Sequence, residues 1–301
     1  MVKLFTHTDL DGIGCAVLAK LAFSELADVE YCNYDDINEK VNSFLALNLC
    51  CDCHITDISI TKETAEKLNT SNLRCNLLDH HETALYLNNY DWCSVQVLNP
   101  DSGIKTSGTE LYYNWLVDTG YLTKTLALDN FVELIRNYDT WLWSNMGEAG
   151  IICKQVNDLL YIYGRDKFIT WCISEIHDEV FPRLYSADLL VLEAKQTEIN
   201  NYVKEKDQQL INYVLCDRPC GVVFAEKYIS ELGNSLCALH PELDFIVIVN
   251  INGTVSYRSI KDNIHLGTDI AKAFGGGGHA KAAGSKMPSD FKLSLIDKLF
   301  G

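Results

Sequence analysis

The sequence predicts an α/β chain: an N-terminal parallel sheet, joined by a helical connector to a smaller α/β domain. Three observations predict it. Short apolar runs alternate with stretches of helical period over roughly the first eighty residues. Acid and histidine motifs follow three of those runs. A long polar-faced helix then precedes a second group of strands, which ends near a run of glycines.

Residues 2–6 read as a short buried strand. Gly12 to about Leu26 reads as a helix, with Ile13, Val17, Leu18, Leu21 and Ala22 at helical spacing. Residues 29–33 form the second strand candidate, and a helix follows over residues 37–47. The third strand, residues 49–56, ends just before Asp57. Ser59 and Thr61 then offer caps for another helix. The fourth strand, residues 73–78, runs into Asp79. Open α/β sheets bind ligands beyond the carboxyl ends of their strands, so motifs far apart in sequence can converge there.

Residues 107–185 read as mostly helical, and most of their aromatics, a set that includes Trp141 and Tyr161, are expected in the core or between helices. Asp188 to about Leu215 reads as one long helix, and residues 216–221, with Pro219 and Gly221, as a boundary. Residues 222–225 and 245–251 read as strands, and Asn252-Gly253 signals a hairpin into residues 254–258. The division expected is 1–187, a connector over 188–216, and 217–301. There is no internal repeat and no low-complexity tract.

At 301 residues and 48% hydrophobic content, the chain has enough material for two globular cores. No run approaches the roughly 18 apolar residues of a membrane span. The N-terminus enters a strand at once, without the apolar stretch of a signal peptide, so a cytoplasmic location is expected. The twelve cysteines are then expected as reduced thiols. Cys50-Cys51-Asp52-Cys53-His54 lacks the paired spacing of a zinc site and reads as buried strand thiols.

Net charge is −16 and unevenly spread. Residues 217–301 hold nine basic and nine acidic residues, leaving 16 basic and 32 acidic in residues 1–216. A protein that tracks long duplex shows a basic stripe, and this one does not. A small phosphorylated ligand is favoured instead, with part of the negative charge neutralised by bound metal.

The chemistry-bearing residues are His7, Asp9 and Asp11 after the first strand, Asp57 after the third, Asp79-His80-His81 after the fourth, and Asp139 in Asn-Tyr-Asp-Thr-Trp. They exceed the ligand needs of one ion. Carboxylates with imidazole suit Mn²⁺, Mg²⁺ or a related divalent ion. Two such ions about 3.5–4 Å apart cleave phosphate esters in many enzymes. Near the C-terminus, Gly275-Gly276-Gly277-Gly278-His279 could bring backbone N–H groups to an anion. Arg258, in Tyr257-Arg258-Ser259, could grip a phosphate with two bonds.

Taken in order, HxDxD, a lone Asp, DHH, a later Asp and GGGGHxxAAG make the chain resemble the DHH phosphoesterase family with its C-terminal DHH-associated domain. The resemblance covers nearly the full length. The single residue between His7 and Asp9, and the setting of Asp139, are most similar to the nanoRNase B-like oligoribonuclease branch. The resemblance implies that His7, Asp9 and Asp57 hold one ion, and that Asp11, Asp57, His80 and Asp139 hold the other. Mn²⁺ is favoured, with Mg²⁺ or Co²⁺ as alternatives. It further implies catalytic roles for Asp79 and His81, and substrate contacts from Arg258, Ser259, Gly276, Gly277, Gly278 and His279.

The activity expected is metal-dependent hydrolysis of short oligonucleotides to 5′-mononucleotides. Cleavage of a cyclic dinucleotide or of pAp stays open, as does a nucleotide-binding protein without turnover. The partners expected are short single-stranded RNA or DNA, or small phosphonucleotides, with no membrane. A homodimer is left open.

Overall fold

Leu4 and Phe5 are wholly buried neighbours in β1 (Val2–Thr6), and they face opposite cores. That is the signature of a strand covered on both sides, as in a parallel sheet with helices over each face. The computed structural model describes residues 1–47 and 49–301. After β1 come α1 (Leu10–Phe23), β2 (Ala27–Tyr31), α2 (Ile37–Ala46) and β3 (Asp52–Thr56). Then follow α3 (Lys62–Asn69), β4 (Cys75–Asp79) and β5 (Cys93–Val95). The five strands are parallel, in the order β2-β1-β3-β4-β5.

The chain passes from β1 outward to β2 and then returns to place β3 on the other side of β1. The order therefore reverses between β1 and β3, which opens a crevice at their carboxyl ends. Thr61 caps α3, its side chain accepting from Thr64 N at 3.4 Å, as the sequence suggested. Four further helices follow: α4 (Gly108–Asp118), α5 (Leu126–Asp139), α6 (Glu148–Tyr163) and α7 (Arg165–His177). They pack with α1 on one face of the sheet, while α2 and α3 cover the other.

Not all the aromatics here are packing groups. Trp141 is 46% exposed and Tyr161 66%. Trp141, two residues past the end of α5, has a positive φ of 66°. All twelve cysteines are free thiols; Cys53 and His54 are buried in β3, whereas Cys50 is exposed and Cys51 half-buried ahead of the strand, so the expected burial holds for Cys53 alone of these three thiols.

The chain divides into two compact units, Met1–Leu192 and Glu193–Gly301. The helix α8 (Ser186–Asp207) runs from the first into the second. It does not continue to about Leu215 as expected: residues 211–215 are a strand, β6 (Ile211–Leu215). The segment read as a boundary is a hairpin turn leading into β7 (Arg218–Phe224). Cys216 and Asp217 both take positive φ, 53° and 59°, as the tightest hairpin turns require. Ile211, Tyr213 and Val214 favour the pleated conformation, and pairing with β7 outweighs the helical pattern upstream.

The second unit continues with α9 (Ile229–Leu239), β8 (Phe245–Asn250) and β9 (Thr254–Arg258). It ends with β10 (Gly277–Gly278), β11 (Ala282–Lys286) and α10 (Phe291–Phe300). Its six-stranded sheet has the order β10-β11-β9-β8-β7-β6, with β7 and β8 parallel and the other pairs antiparallel. Ile199, Val203, Leu232 and Leu236 cover one face, while Leu266, Ile270 and Ala271 pack on the other. Among the described residues, no helix is long and apolar enough to cross a membrane.

Candidate metal centre

The turn from β1 into α1 carries the first three ligand candidates. Asp9 is the cap of α1, and its carboxylate accepts from Gly12 N at 3.1 Å. The turn is tight enough that a Cβ on Gly12 would lie 2.3 Å from the His7 carbonyl oxygen. Asp11, in the first turn of α1, is buried. Its two oxygens accept from Gly108 N at 2.6 Å and Thr109 N at 2.8 Å, the first amides of α4. Thr109 Oγ1 donates to the Asp11 carbonyl at 2.7 Å. The sequence reading missed this clamp, although Ser107-Gly108-Thr109 is a capping signal ahead of a helical stretch.

Asp57 follows β3 in the left-handed region, with φ 57°, and is 1% exposed. Among non-glycine residues Asp adopts this region comparatively readily, and its surroundings hold it there. Its amide donates to Leu78 O at 3.0 Å. On the other side a Cβ on Gly108 would lie 2.5 Å from Asp57 Cβ, so α4 approaches because it begins with glycine. Beneath the turns, Thr56 Oγ1 donates to Thr6 Oγ1 at 3.1 Å, and Thr6 Oγ1 donates to Gly12 O at 3.0 Å.

β4 ends in Asp79-His80-His81. Asp79 is wholly buried, and its Oδ1 accepts from His80 N at 2.8 Å and stands 2.7 Å from His81 Nδ1. That contact places a proton on Nδ1, so Nε2 of His81 accepts in the neutral ring and donates in the protonated one. Tyr34, in the turn after β2, fills that position, with its hydroxyl 3.1 Å from His81 Nε2. Tyr34 was not among the sequence candidates. Its one signal was its place after a strand, on the same sheet edge as the other motifs.

His80 Nε2 lies 3.2 Å from Asp57 Oδ1, 3.6 Å from Asp11 Oδ2 and 3.6 Å from Asp139 Oδ2. On the other side of Asp57, His7 Nδ1 lies 2.8 Å from Asp9 Oδ2 and 4.0 Å from Asp57 Oδ2. One carboxylate, Asp57, thus turns one oxygen toward each of two donor groups. His7, Asp9 and Asp57 form the first group, and Asp11, His80 and Asp139 gather around the second.

The electrostatics show why this arrangement fits a cation. Burial drives the Asp57 carboxyl well above its ordinary range, and the neighbouring charges of Asp11, Asp9 and Asp139 push it further. Burial and the charges of Asp11 and Asp9 likewise raise Asp139. Burial lowers His80 even though Asp11 stands beside it. For His81, burial lowers the pKa, but the bond to Asp79 and the charges of Asp79, Asp11 and Asp9 together outweigh it, and the net shift is upward. Buried Asp57 Oδ2 and Asp79 Oδ2 have no hydrogen-bond partner. Buried polar atoms without partners are costly, and crowded carboxylates repel. Hard divalent ions answer both problems, since they take carboxylate oxygens and imidazole nitrogens. These residues form a metal-binding His/Asp cluster.

The structure brings together all eight candidates of the first unit: His7, Asp9, Asp11, Asp57, Asp79, His80, His81 and Asp139. The candidates of the second unit are a separate set. Arg258 is half-buried, with bonds from its guanidinium to Tyr257 O at 2.9 Å and Ser230 Oγ at 3.3 Å. Ser259 is 2% exposed; its hydroxyl donates to Asp244 O at 2.7 Å and accepts from Lys261 N at 3.1 Å. Its single proton is committed to the Asp244 carbonyl.

The glycine run is also more structural than expected. The amides of Gly275, Gly276 and His279 donate to Lys272 O, Ala271 O and Ala282 O, so they do not form an open anion cradle. Gly277 and Gly278 are the strand β10, paired with Gly284 and Ala283. A Cβ on Gly276 would lie 2.0 Å from Gly284 O and one on Gly278 2.6 Å from Ala283 Cα, so these two positions are glycine because two backbones meet. The His279 side chain is exposed.

Comparison with known proteins bears on this site. The DHH family, N-terminal domain, matches residues 1–135. Oligoribonuclease NrnB of Bacillus subtilis (strain 168) is 38% identical over 310 residues, covering 100% of this chain and 76% of the relative. A 3′,5′-cyclic-nucleotide phosphodiesterase of Helicobacter pylori is 23% identical over 335 residues, covering 94% of this chain and 91% of the relative. Among solved structures, the exonuclease RecJ bound to manganese superposes with a TM-score of 0.62 at 15% identity. That match covers 99% of this chain and 88% of the other, and it shows the shared fold.

Proposed function

Since the chain belongs to the DHH family and is a DHH phosphoesterase, we propose that it hydrolyses short oligonucleotides to 5′-mononucleotides at a site for two divalent ions. The observation that carries the reading is Asp57, whose two oxygens face two separate donor groups. The relative of 38% identity, named an oligoribonuclease, supports the substrate class. The acidic balance of residues 1–216 supports short substrates over long duplex.

In this reading His7, Asp9 and Asp57 hold one ion, and Asp11, Asp57, His80 and Asp139 hold the other. Mn²⁺ is the favoured metal, in keeping with the manganese of the RecJ structure. Bound there, the ions supply positive charge against the developing charge on phosphorus and make an attacking water more acidic. The chain's residues do the rest. The two amides of α4 hold Asp11 in place. Asp79 fixes the direction of His81, whose Nε2 faces Tyr34; in the protonated ring, which the Asp79 carboxylate favours, that nitrogen donates and can exchange Tyr34 for a substrate oxygen. Water oxygen bonds to phosphorus, the bond from phosphorus to the 3′ oxygen breaks, and that oxygen leaves as a hydroxyl. In the second unit, Arg258 and His279 are the side chains proposed to contact substrate, beside the backbone of Gly276, Gly277 and Gly278.

The test is a hydrolysis panel in Mn²⁺, in Mg²⁺ and in chelator. Its substrates are end-labelled RNA and DNA of two to about twenty-five nucleotides, cyclic dinucleotides and pAp, with Asp57→Ala as control. Stepwise shortening of the smallest RNAs is the expected result. Preference for a cyclic substrate would instead align the chain with its relative named a cyclic-nucleotide phosphodiesterase. Undiminished turnover by Asp57→Ala would remove the basis of the reading.

A further inference from the structure

Tyr34 is an unusual neighbour for this centre. Its ring lies 5.3 Å from the His7 ring and 6.0 Å from the His81 ring, yet the residue is 52% exposed. Its hydroxyl is tied to His81 Nε2 at 3.1 Å. The turn that carries it is held from both ends. Cys32 N donates to Thr6 O at 2.8 Å, and Ile37 N donates to Asn33 O at 3.0 Å. Asn33 N donates to Asp36 Oδ1 at 2.8 Å, and Thr8 Oγ1 donates to Asn33 Oδ1 at 3.4 Å. A large aromatic is therefore held rigidly at the edge of the metal centre, with much of its surface open to solvent.

Burial does not account for that placement, because the exposed part of the ring covers nothing. Hydrogen bonding alone does not account for it either, since a smaller hydroxyl side chain would expose less apolar area. A rigid, open aromatic face next to the groups that meet a phosphate is what a single-stranded nucleobase stacks on. We infer that Tyr34 is a specificity-determining residue, whose ring stacks on the base of a nucleotide flanking the scissile phosphate. The hydroxyl's bond to His81 sets the ring's angle while the site is without substrate. Every base has such a face, so the contact discriminates nucleotides from base-free phosphodiesters rather than one base from another. This inference rests on the oligonucleotide reading above.

The experiment compares Tyr34→Phe and Tyr34→Leu with the unaltered full chain. The substrates are an RNA dinucleotide and the same molecule with an abasic spacer at either nucleotide. Stacking of one base predicts that Tyr34→Leu loses about 5- to 100-fold in kcat/KM on the dinucleotide, mostly through KM, and little on the abasic form that lacks the stacked base. Tyr34→Phe, which keeps the ring, stays within about threefold of the unaltered chain on this view. A second readout avoids turnover: a dinucleotide containing 2-aminopurine should be quenched on binding by Tyr34→Phe and not by Tyr34→Leu. Equal losses on base-bearing and abasic substrates would overturn the inference, as would Tyr34→Phe failing as badly as Tyr34→Leu. If the unaltered chain cleaves oligonucleotides and Tyr34→Leu matches it, this inference alone falls. If the unaltered chain cleaves none of them, the oligonucleotide reading itself has failed.

Discussion

The two units handle their polar motifs in opposite ways. In the first, the strand-end residues leave buried atoms without partners and set carboxylates against one another. In the second, Ser259 and three amides of the glycine run are satisfied within the chain. A motif with its bonding complete is holding a fold together. Buried carboxylates crowded together are costly, and either a bound proton or a bound cation offsets that cost.

The sharpest way to break this contrast is at Asp57. Asp57→Ala should lower kcat by on the order of 10²–10³-fold or more in saturating Mn²⁺, because it removes the one carboxylate shared by both donor groups. A buried carboxyl whose folded pKa is raised costs stability wherever the unfolded chain would ionise it. Asp57→Asn should therefore raise Tm in chelator by about 3 °C or more, and should gain less than the unaltered chain when Mn²⁺ is added. A lower Tm in chelator would show that the cluster is not strained by its own charge.

Next in size are two glycines with similar crowding and different consequences. Gly108→Ala would drive a methyl group against Asp57, and Gly276→Ala would drive one against Gly284 O. Overpacking of this kind costs about 1–3 kcal/mol. Calorimetric Mn²⁺ affinity should fall in Gly108→Ala and hold in Gly276→Ala. Equal effects on metal affinity would erase the distinction between the units.

Arg258→Ala should act through binding, raising KM about 10-fold with kcat little changed, as loss of one charge-assisted contact predicts. A fall in kcat at constant KM would assign Arg258 to the chemistry instead. The smallest effect belongs to His240, whose pKa is raised by its bond to Asp207 and, more weakly, to Glu242. Its stabilisation is fully present below the unfolded value, about 6.5, and is lost as pH rises through the higher folded value. The Tm gap between the unaltered chain and His240→Gln should therefore close as pH rises from about 5.5 to 9. A gap that is constant with pH would mean the ring acts only by packing.

Much of the first unit was legible in the residues because period and chemistry agreed there. Leu4 and Phe5 lie in an apolar run, helical spacing follows, and the acids stand where the strands stop. Less of the second unit was legible. Residues 211–215 continue an apolar pattern that suits either structure, and only pairing with β7 decided for a strand. The turn at Cys216-Asp217 carries no glycine to announce its positive φ values.

By itself the sequence determined the α/β class of the chain and the identities of the carboxylates and imidazoles, since periodicity and donor chemistry are properties of local residues. The tertiary structure decided the rest. Sheet order placed the end of β1 beside that of β3 at the reversal, and α4 reached back to clamp Asp11. It also turned Tyr34 onto His81 and closed Ser259 and the glycine run into the second sheet. Those outcomes depend on which strands become neighbours and which buried atoms find partners, and contacts between distant residues are set only when the whole chain packs.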